Sequence, residues 1–306
     1  MKILITGASG LVGHSIVENE DIQKHELLTP NHKDLDLLDY AAVYGYLEQE
    51  KPDCIVHAAG KVGGIAANCK APMDFFLANM DMGRNIIYGA FQAGIKKLIN
   101  LGSASMYSCN NGESLSEDML FRGALDAANE GYALAKVMSA KLCEYIGRQN
   151  SEYQYKTLVV CNLYGRWDKF RTENAHMIPA VIHKLYQAKC EGKKCVEIWG
   201  SGQARREFMY SGDLADCIAY SLNHYDRLPQ YINVGVGDDY TIDEYYEAVA
   251  RIVGYTGKFT HDTTKPEGMR RRLMNVTKLK NLGWQNRTSL EEGLRKTFEF
   301  YLQTNR

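Results

Sequence analysis

With 306 residues, 45% hydrophobic and 24% charged, the chain has the makeup of a soluble globular protein and length for one large domain or two modest ones. Its 36 Lys+Arg nearly cancel 37 Asp+Glu, which argues against nucleic acid or an anionic membrane surface as partner, while a small anionic ligand needs only local charge.

Taken in order, Lys2 to Thr6 is a short apolar run that predicts a buried strand. Gly7, Gly10 and Gly13 follow, with Ser9, Leu11 and Val12 between them, spanning a strand end, a turn and the start of a helix predicted over 11–19. Glycines so placed let backbone approach a pyrophosphate, which points to a dinucleotide cofactor. Glu26 to Leu28 predicts the second strand. An NAD-selective fold usually ends this strand in Asp or Glu for the adenine ribose; here the chain reads Thr29-Pro30-Asn31-His32-Lys33, with groups that can donate to a 2′-phosphate, so NADPH is expected.

Asp36 and Leu37 lead into an amphipathic stretch ending at Glu50, and Pro52 breaks the chain before the strand Cys54 to His57. The small residues Ala58, Ala59 and Gly60 follow, as needed where backbone passes close to a cofactor. A helix is predicted over 72–93, a strand over 97–101 ending in Gly102-Ser103-Ala104-Ser105, a helix over 129–148 and a strand over 157–161. This alternation predicts a Rossmann-type, doubly wound parallel α/β sheet covered on both faces. Beyond Gly165 polar stretches interrupt the pattern. Strands shorten (196–199 and 231–234), and Thr241-Ile242-Asp243-Glu244 and Ser289-Leu290-Glu291-Glu292 read as capping boxes. We expect a dinucleotide-binding domain over 1–164, rejoined by about 205–236, and a smaller mixed α/β substrate domain over 165–204 and 237–306.

The eight cysteines include no CxxC pair and no His-flanked zinc spacing, so reduced thiols, no metal and a cytoplasmic location are expected. The apolar start is too short for a signal peptide, and no segment is long enough to span a bilayer.

Of 20 tyrosines, only Tyr132 has a lysine four residues on, Lys136. On a helix this spacing puts phenol and ammonium on one face. A free phenol has a pKa of about 10, and a neighbouring cation favours its ionised form. Tyr132 could then give a proton to an oxygen that gains charge as hydride reaches its carbon, with Ser103 holding the same oxygen.

This ordered set resembles the extended short-chain dehydrogenase/reductase family, in its branch of nucleotide-sugar epimerases, dehydratases and reductases that includes the GDP-4-keto-6-deoxymannose epimerase/reductases. The resemblance is carried by Ala58-Ala59-Gly60-Lys61-Val62-Gly63-Gly64-Ile65, Asn79-Met80, Leu101-Gly102-Ser103, Tyr132-Ala133-x-Ala135-Lys136 and Asn162-Leu163-Tyr164-Gly165. Asn174-x-His176-x-Ile178-Pro179-Ala180, Trp199-Gly200-Ser201-Gly202 and Arg206-Glu207-Phe208 extend it along nearly the whole chain. It implies a reductase triad of Ser103, Tyr132 and Lys136. It also implies cofactor contacts from the glycine loop, Asn31, His32, Asp36, Leu37, Ala58, Ala59, Lys61, Leu101, Gly102, Asn162, Leu163 and His176. Substrate contacts would come from Ser105, Met106, Asn174, His176, Trp199, Arg206 and Arg270, with Arg271 a further candidate. A GDP-linked 4-keto sugar, hexose or heptose, would be the substrate, in surface-polysaccharide precursor synthesis, and the protein would be a homodimer.

One position departs from the pattern. The resembled enzymes carry a cysteine two residues after the triad serine, which works with a histidine on the carbons beside the 4-ketone. The histidine matches His176, but the cysteine position holds Ser105. A thiol of pKa about 8.5 and an imidazole of about 6.5 can both carry protons near neutrality; a serine hydroxyl without a base cannot. Cys109 could serve only after a register shift. The expectation is therefore C4 reduction without 3,5-epimerisation. A bifunctional epimerase/reductase is the alternative, and behind it come an NAD-dependent 4-epimerase and a silent NADP(H)-binding protein. A 4,6-dehydratase would need an acidic pair where Ala104-Ser105 stands.

Overall fold

The computed structural model describes residues 1–108, 112–171, 175–265 and 269–304. The chain alternates strand and helix: β1 (Lys2–Thr6), α1 (Leu11–Val17), β2 (Glu26–Leu28), α2 (Tyr40–Glu50), β3 (Cys54–His57), α3 (Ile65–Lys70), α4 (Pro72–Gln92), β4 (Lys97–Ser103), α5 (Glu130–Gln149) and β5 (Gln154–Val160). There follow β6 (Asn162–Tyr164), α6 (Met177–Cys190), β7 (Cys195–Trp199), β8 (Arg205–Arg206), β9 (Phe208–Tyr210), α7 (Ser211–Asn223) and β10 (Tyr231–Val234). The last elements are β11 (Tyr240–Thr241), α8 (Ile242–Val253), β12 (Lys258–Asp262), β13 (Arg271–Arg272), α9 (Thr277–Leu282) and α10 (Leu290–Thr304).

Six strands form a parallel sheet in the order β10-β5-β4-β3-β1-β2. Strands such as β1 and β3 are buried almost throughout because both faces are covered. Ile3 and Ile5 enter one core cluster and Leu4 the other, and all three are fully buried. Successive strand side chains point to opposite faces, so each face needs its own helical layer. Ile16 of α1 with Leu214 and Ile218 of α7 covers the first face. Val43 and Leu47 of α2, Ile86 and Ile87 of α4, and Ile146 of α5 cover the second. The α4–α5 packing is close, since a Cβ on Gly83 would meet Ser139 Oγ at 2.1 Å.

A third core is built from α6, α8 and α10 around Ile178, Ile182, Tyr245, Val249, Leu294 and Tyr301. The polar stretches after Gly165 conceal α6, where His183, Lys184 and Tyr186 interrupt the apolar face, and α7, where Asp213 and Asp216 do. The chain returns to the main sheet through β10, which pairs with β5 from Tyr231↔Thr157 to Val234↔Val160. Local chemistry sets the helix starts. Asp39 accepts from the N–H groups of Ala41 and Ala42 at 2.8 and 3.2 Å to cap α2. Thr241 and Glu244 form a reciprocal capping box on α8, and Ser289 Oγ accepts from the Glu292 N–H at 3.2 Å ahead of α10. Among the described residues, no helix is long and apolar enough to cross a membrane.

Candidate active site

Strand order reverses between β1 and β3, and parallel sheets leave a crevice beyond the strand ends at such a point. A cavity of about 1030 Å³ opens there and runs on toward α6 and β8. Gly7 leaves β1 at φ +73°, and a Cβ on it would lie 2.7 Å from Ala59 Cα. A Cβ on Gly13 would meet Gly7 O at 2.1 Å. Gly10 stands at the N-cap of α1 with no capping side chain, and no acidic residue occupies the first turn. This cradle of bare backbone, without a carboxylate to repel it, fits a pyrophosphate. Ser9, Leu11, Val12, Ala58 and Ala59 line the same wall, and Asn31, His32, Asp36 and Leu37 line it on the β2 side. Asn31 is held in a local turn, its Oδ1 accepting from the Lys33 N–H at 2.8 Å.

Across the crevice, Leu101, Gly102 and Ser103 end β4, and Tyr132 and Lys136 face them from the first turns of α5. Ser103 Oγ accepts from the Ser105 N–H at 3.2 Å. Burial pushes the Tyr132 phenol up, and its hydrogen bond with Ser103 works in the opposite direction. Lys136 is buried, donates to Leu101 O at 2.9 Å, and burial lowers its pKa to about 8. Its ammonium lies 5.9 Å from the centre of the Tyr132 ring. Asn162 and Leu163 close this end.

Ser105 is 7% exposed and faces the cavity, and among the described residues the only side chain bonded to it is Asn129, whose Nδ2 donates to its Oγ at 3.1 Å. No base among the described residues touches Ser105. His176, at the start of α6, lines the cavity with Nδ1 at 3.5 Å from Asp168 Oδ1. That contact lacks hydrogen-bond geometry, and among the described residues neither the buried Nδ1 nor the buried Asp168 Oδ2 has a hydrogen-bond partner. A small shift would join them and orient the ring.

Toward β8 the wall becomes cationic. Arg206 is half-buried; burial, then the nearby charge of Arg272, lowers its pKa to about 10. Arg272 donates to Asp126 Oδ2 at 3.3 Å, and both line the cavity. Beyond them lie Lys184, Tyr246 and the 61% exposed indole of Trp199, with Lys265 Nζ 5.6 Å from its ring centre. A flat aromatic beside paired guanidinium groups suits a nucleoside diphosphate.

Several expected contacts lie elsewhere. Lys61 turns outward to Asp74 at 3.4 Å and is not a wall residue, because Asn79 holds its backbone on both sides. Met106 is fully buried beneath β4, its sulfur accepting from the Ser103 N–H at 3.5 Å. Arg270 lies ahead of β13 and is exposed; within β13, strand alternation turns Arg271 to Asp239 and Arg272 to the cavity. Asn174 and Cys109 lie outside the described residues. Sequence alone does not single out Asn129, Asp126, Asp168 or Arg272. Only Asn129 has a usable signal, standing one helical turn before Tyr132.

The chain matches the NAD dependent epimerase/dehydratase family over residues 3–237. It is 53% identical over 302 residues to a GDP-L-colitose synthase from Yersinia pseudotuberculosis, covering 99% of this chain and 98% of that one. Among solved structures it resembles a GDP-6-OMe-4-keto-L-xylo-heptose reductase from C. jejuni, with a TM-score of 0.92, 32% identity and coverage of 99% and 98%. A GDP-mannoheptose C4 reductase from Campylobacter jejuni, solved with NADP bound, superposes with a TM-score of 0.88 at 34% identity, covering 98% of each chain. With a glycine cradle at the switch point, a Ser, Tyr and Lys cluster across from it, and matches along the whole chain, this protein belongs to the NAD dependent epimerase/dehydratase family.

Proposed function

We propose that the protein is an NADPH-dependent C4-keto reductase of a GDP-linked 4-keto sugar, acting without 3,5-epimerisation. The observation that carries the reading is the cavity itself, with a dinucleotide cradle at one end, Ser103, Tyr132 and Lys136 in the middle, and paired arginines beside an open indole at the other. The GDP-sugar synthases and reductases among its relatives support the substrate class, and NADP in the heptose reductase supports the cofactor.

The glycine loop, Ala58, Ala59 and Lys136 would hold NADPH, which would supply hydride for C4 of the sugar. Ser103 orients the C4 oxygen, since its Oγ already accepts from the Ser105 N–H and its own proton is left to donate. Tyr132 gives its proton to that oxygen, and the Lys136 ammonium stabilises the phenolate left behind. Arg206 and Arg272 meet the diphosphate, and Trp199 covers the nucleoside. Ser105 receives a hydrogen bond from Asn129 and has no base beside it among the described residues, which supports a role in orienting a hydroxyl rather than in drawing a proton from carbon.

The test is NADPH oxidation against GDP-4-keto-6-deoxymannose, a GDP-4-keto-heptose and a UDP-linked 4-keto sugar, with NMR of the products. Turnover of the GDP-linked substrates with stereochemistry unchanged at C3 and C5 is expected. Tyr132→Phe should lose about a hundredfold to ten-thousandfold in kcat with NADPH affinity retained; near-normal turnover would refute the assignment. A second reading, an epimerase/reductase, is favoured by the Asp168 carboxylate behind His176, which leaves one proton carrier in place. Deuterium entering C3 or C5 from deuterated water without NADPH would establish it.

A further inference from the structure

Strand β8 carries Arg205 and Arg206, and both neighbours are tied to it in register. Arg271 and Arg272 of β13 pair in parallel with Arg205 and Arg206, and Tyr240 and Thr241 of β11 pair antiparallel with the same two residues. Side chains alternate across such a ribbon. Arg206 and Arg272 face the cavity. Arg205 and Arg271 face the other way, onto a single carboxylate. Asp239 Oδ1 accepts from Arg205 Nε at 2.7 Å and Oδ2 from Arg271 Nε at 2.5 Å. Arg205 also donates to the Asp239 backbone carbonyl. The Asp239 side chain is only 2% exposed, whereas the two arginines that hold it are 38% and 37% exposed. Burial alone would raise the carboxyl pKa, but Arg271 and Arg205 outweigh it and hold the group below the usual carboxylate range. The ribbon is anchored again just past β8, where buried Glu207 accepts from the N–H groups of Val236, Gly237 and Met274 at 2.6, 2.7 and 2.8 Å.

We propose that Asp239 is a positioning residue for the nucleotide end of the cavity: by joining Arg205 and Arg271 on the back of the ribbon, it holds Arg206 and Arg272 side by side on the front. The proposal rests on the reading that these two arginines meet a diphosphate. Two short strands of two residues each have little ladder to hold them, and the front guanidinium groups repel one another. Without the shared carboxylate behind them, only the short ladder and the Glu207 anchor hold the strands, and the front pair can splay. What is lost is the geometry of the phosphate contacts and nothing at Tyr132 or the glycine loop.

Calorimetric titration of GDP, GMP, guanosine and NADPH into wild type and Asp239→Asn tests this without turnover. We expect GDP to weaken about tenfold, GMP less, and guanosine and NADPH to stay within about twofold, with kcat retained and KM for the nucleotide sugar raised. Arg271→Lys keeps the charge, removes one guanidinium fork and serves if the first variant does not fold; a GDP loss of about threefold is expected. Unchanged GDP affinity in these variants, or equal weakening of GDP, guanosine and NADPH, overturns the proposal. Wild type that binds no GDP refutes the nucleotide reading itself, whereas wild type that binds GDP and variants that bind it equally refute only the role of Asp239.

Discussion

Lys136, which faces Tyr132, is a buried cation whose charge changes in an accessible pH range. Burial sets the Lys136 pKa at about 8. Its ammonium lies 5.9 Å from the Tyr132 ring centre, a distance at which unit charges interact by about 3 kcal/mol at an effective dielectric of ~20. A phenolate forming on Tyr132 therefore gains about a hundredfold from a charged Lys136. The sign follows directly: the cation is present below about 8 and is lost as pH rises through that value. At pH 9 about one molecule in eleven keeps the charge, so kcat/KM should sit about tenfold below its neutral plateau and level off near a hundredfold below it. Initial rates of NADPH oxidation at subsaturating GDP-4-keto sugar, from about pH 6.5 to about pH 10, measure the limb, and kcat/KM reports groups of the unliganded site. Lys136→Met should fall to the alkaline floor and lose the limb. A profile flat through pH 9.5, or a limb that persists in Lys136→Met, would show that another group controls proton delivery.

Three further perturbations probe other parts of the chain. Ser105→Cys places a thiol of pKa about 8.5 in the slot beside Asn129, and incubation with a GDP-4-keto sugar in deuterated water without NADPH should then give exchange beside the carbonyl where wild type gives none. Exchange by wild type, or none by the variant, contradicts the role assigned to Ser105. Gly13→Ala puts a methyl carbon 2.1 Å from Gly7 O, so the cradle must open and NADPH affinity, followed by nicotinamide fluorescence, should fall at least about tenfold; unchanged binding would move the pyrophosphate elsewhere. Asp39→Ala removes the cap of α2 and should cost about 1 kcal/mol in urea unfolding, with kcat and KM untouched.

Much of the site is legible from local chemistry. Gly7 and Gly13 can be read as a cradle because a side chain at either would collide with backbone, and such positions leave glycine in the sequence; Gly10 completes it as the bare N-cap of α1. Tyr132 and Lys136 can be paired because a helix brings residues four apart onto one face. Ser103 is less local: it joins them because β4 ends beside the first turn of α5. Arginines near residue 270 can be expected at the diphosphate, but adjacent positions on a strand face opposite ways, and the pairing of β13 with β8 sends Arg272 rather than Arg271 to the cavity. Asp168 behind His176 and Asn129 beside Ser105 follow no spacing rule across the distances that separate them, so they emerge only once α6 and α5 are packed.

By itself the amino-acid sequence determined the alternating layers, the cradle, the helix caps at Thr241 and Ser289, and the presence of one tyrosine, Tyr132, with a lysine one helical turn on. These depend on interactions within a few residues, where backbone sterics and helix or strand periodicity act directly. Tertiary structure decided which arginines face the cavity, that Lys136 is buried enough to titrate near 8, and that one carboxylate, Asp239, ties two arginines from strands far apart in the chain. Those outcomes depend on desolvation and on contacts between distant segments, and neither has a value until the layers have closed on one another.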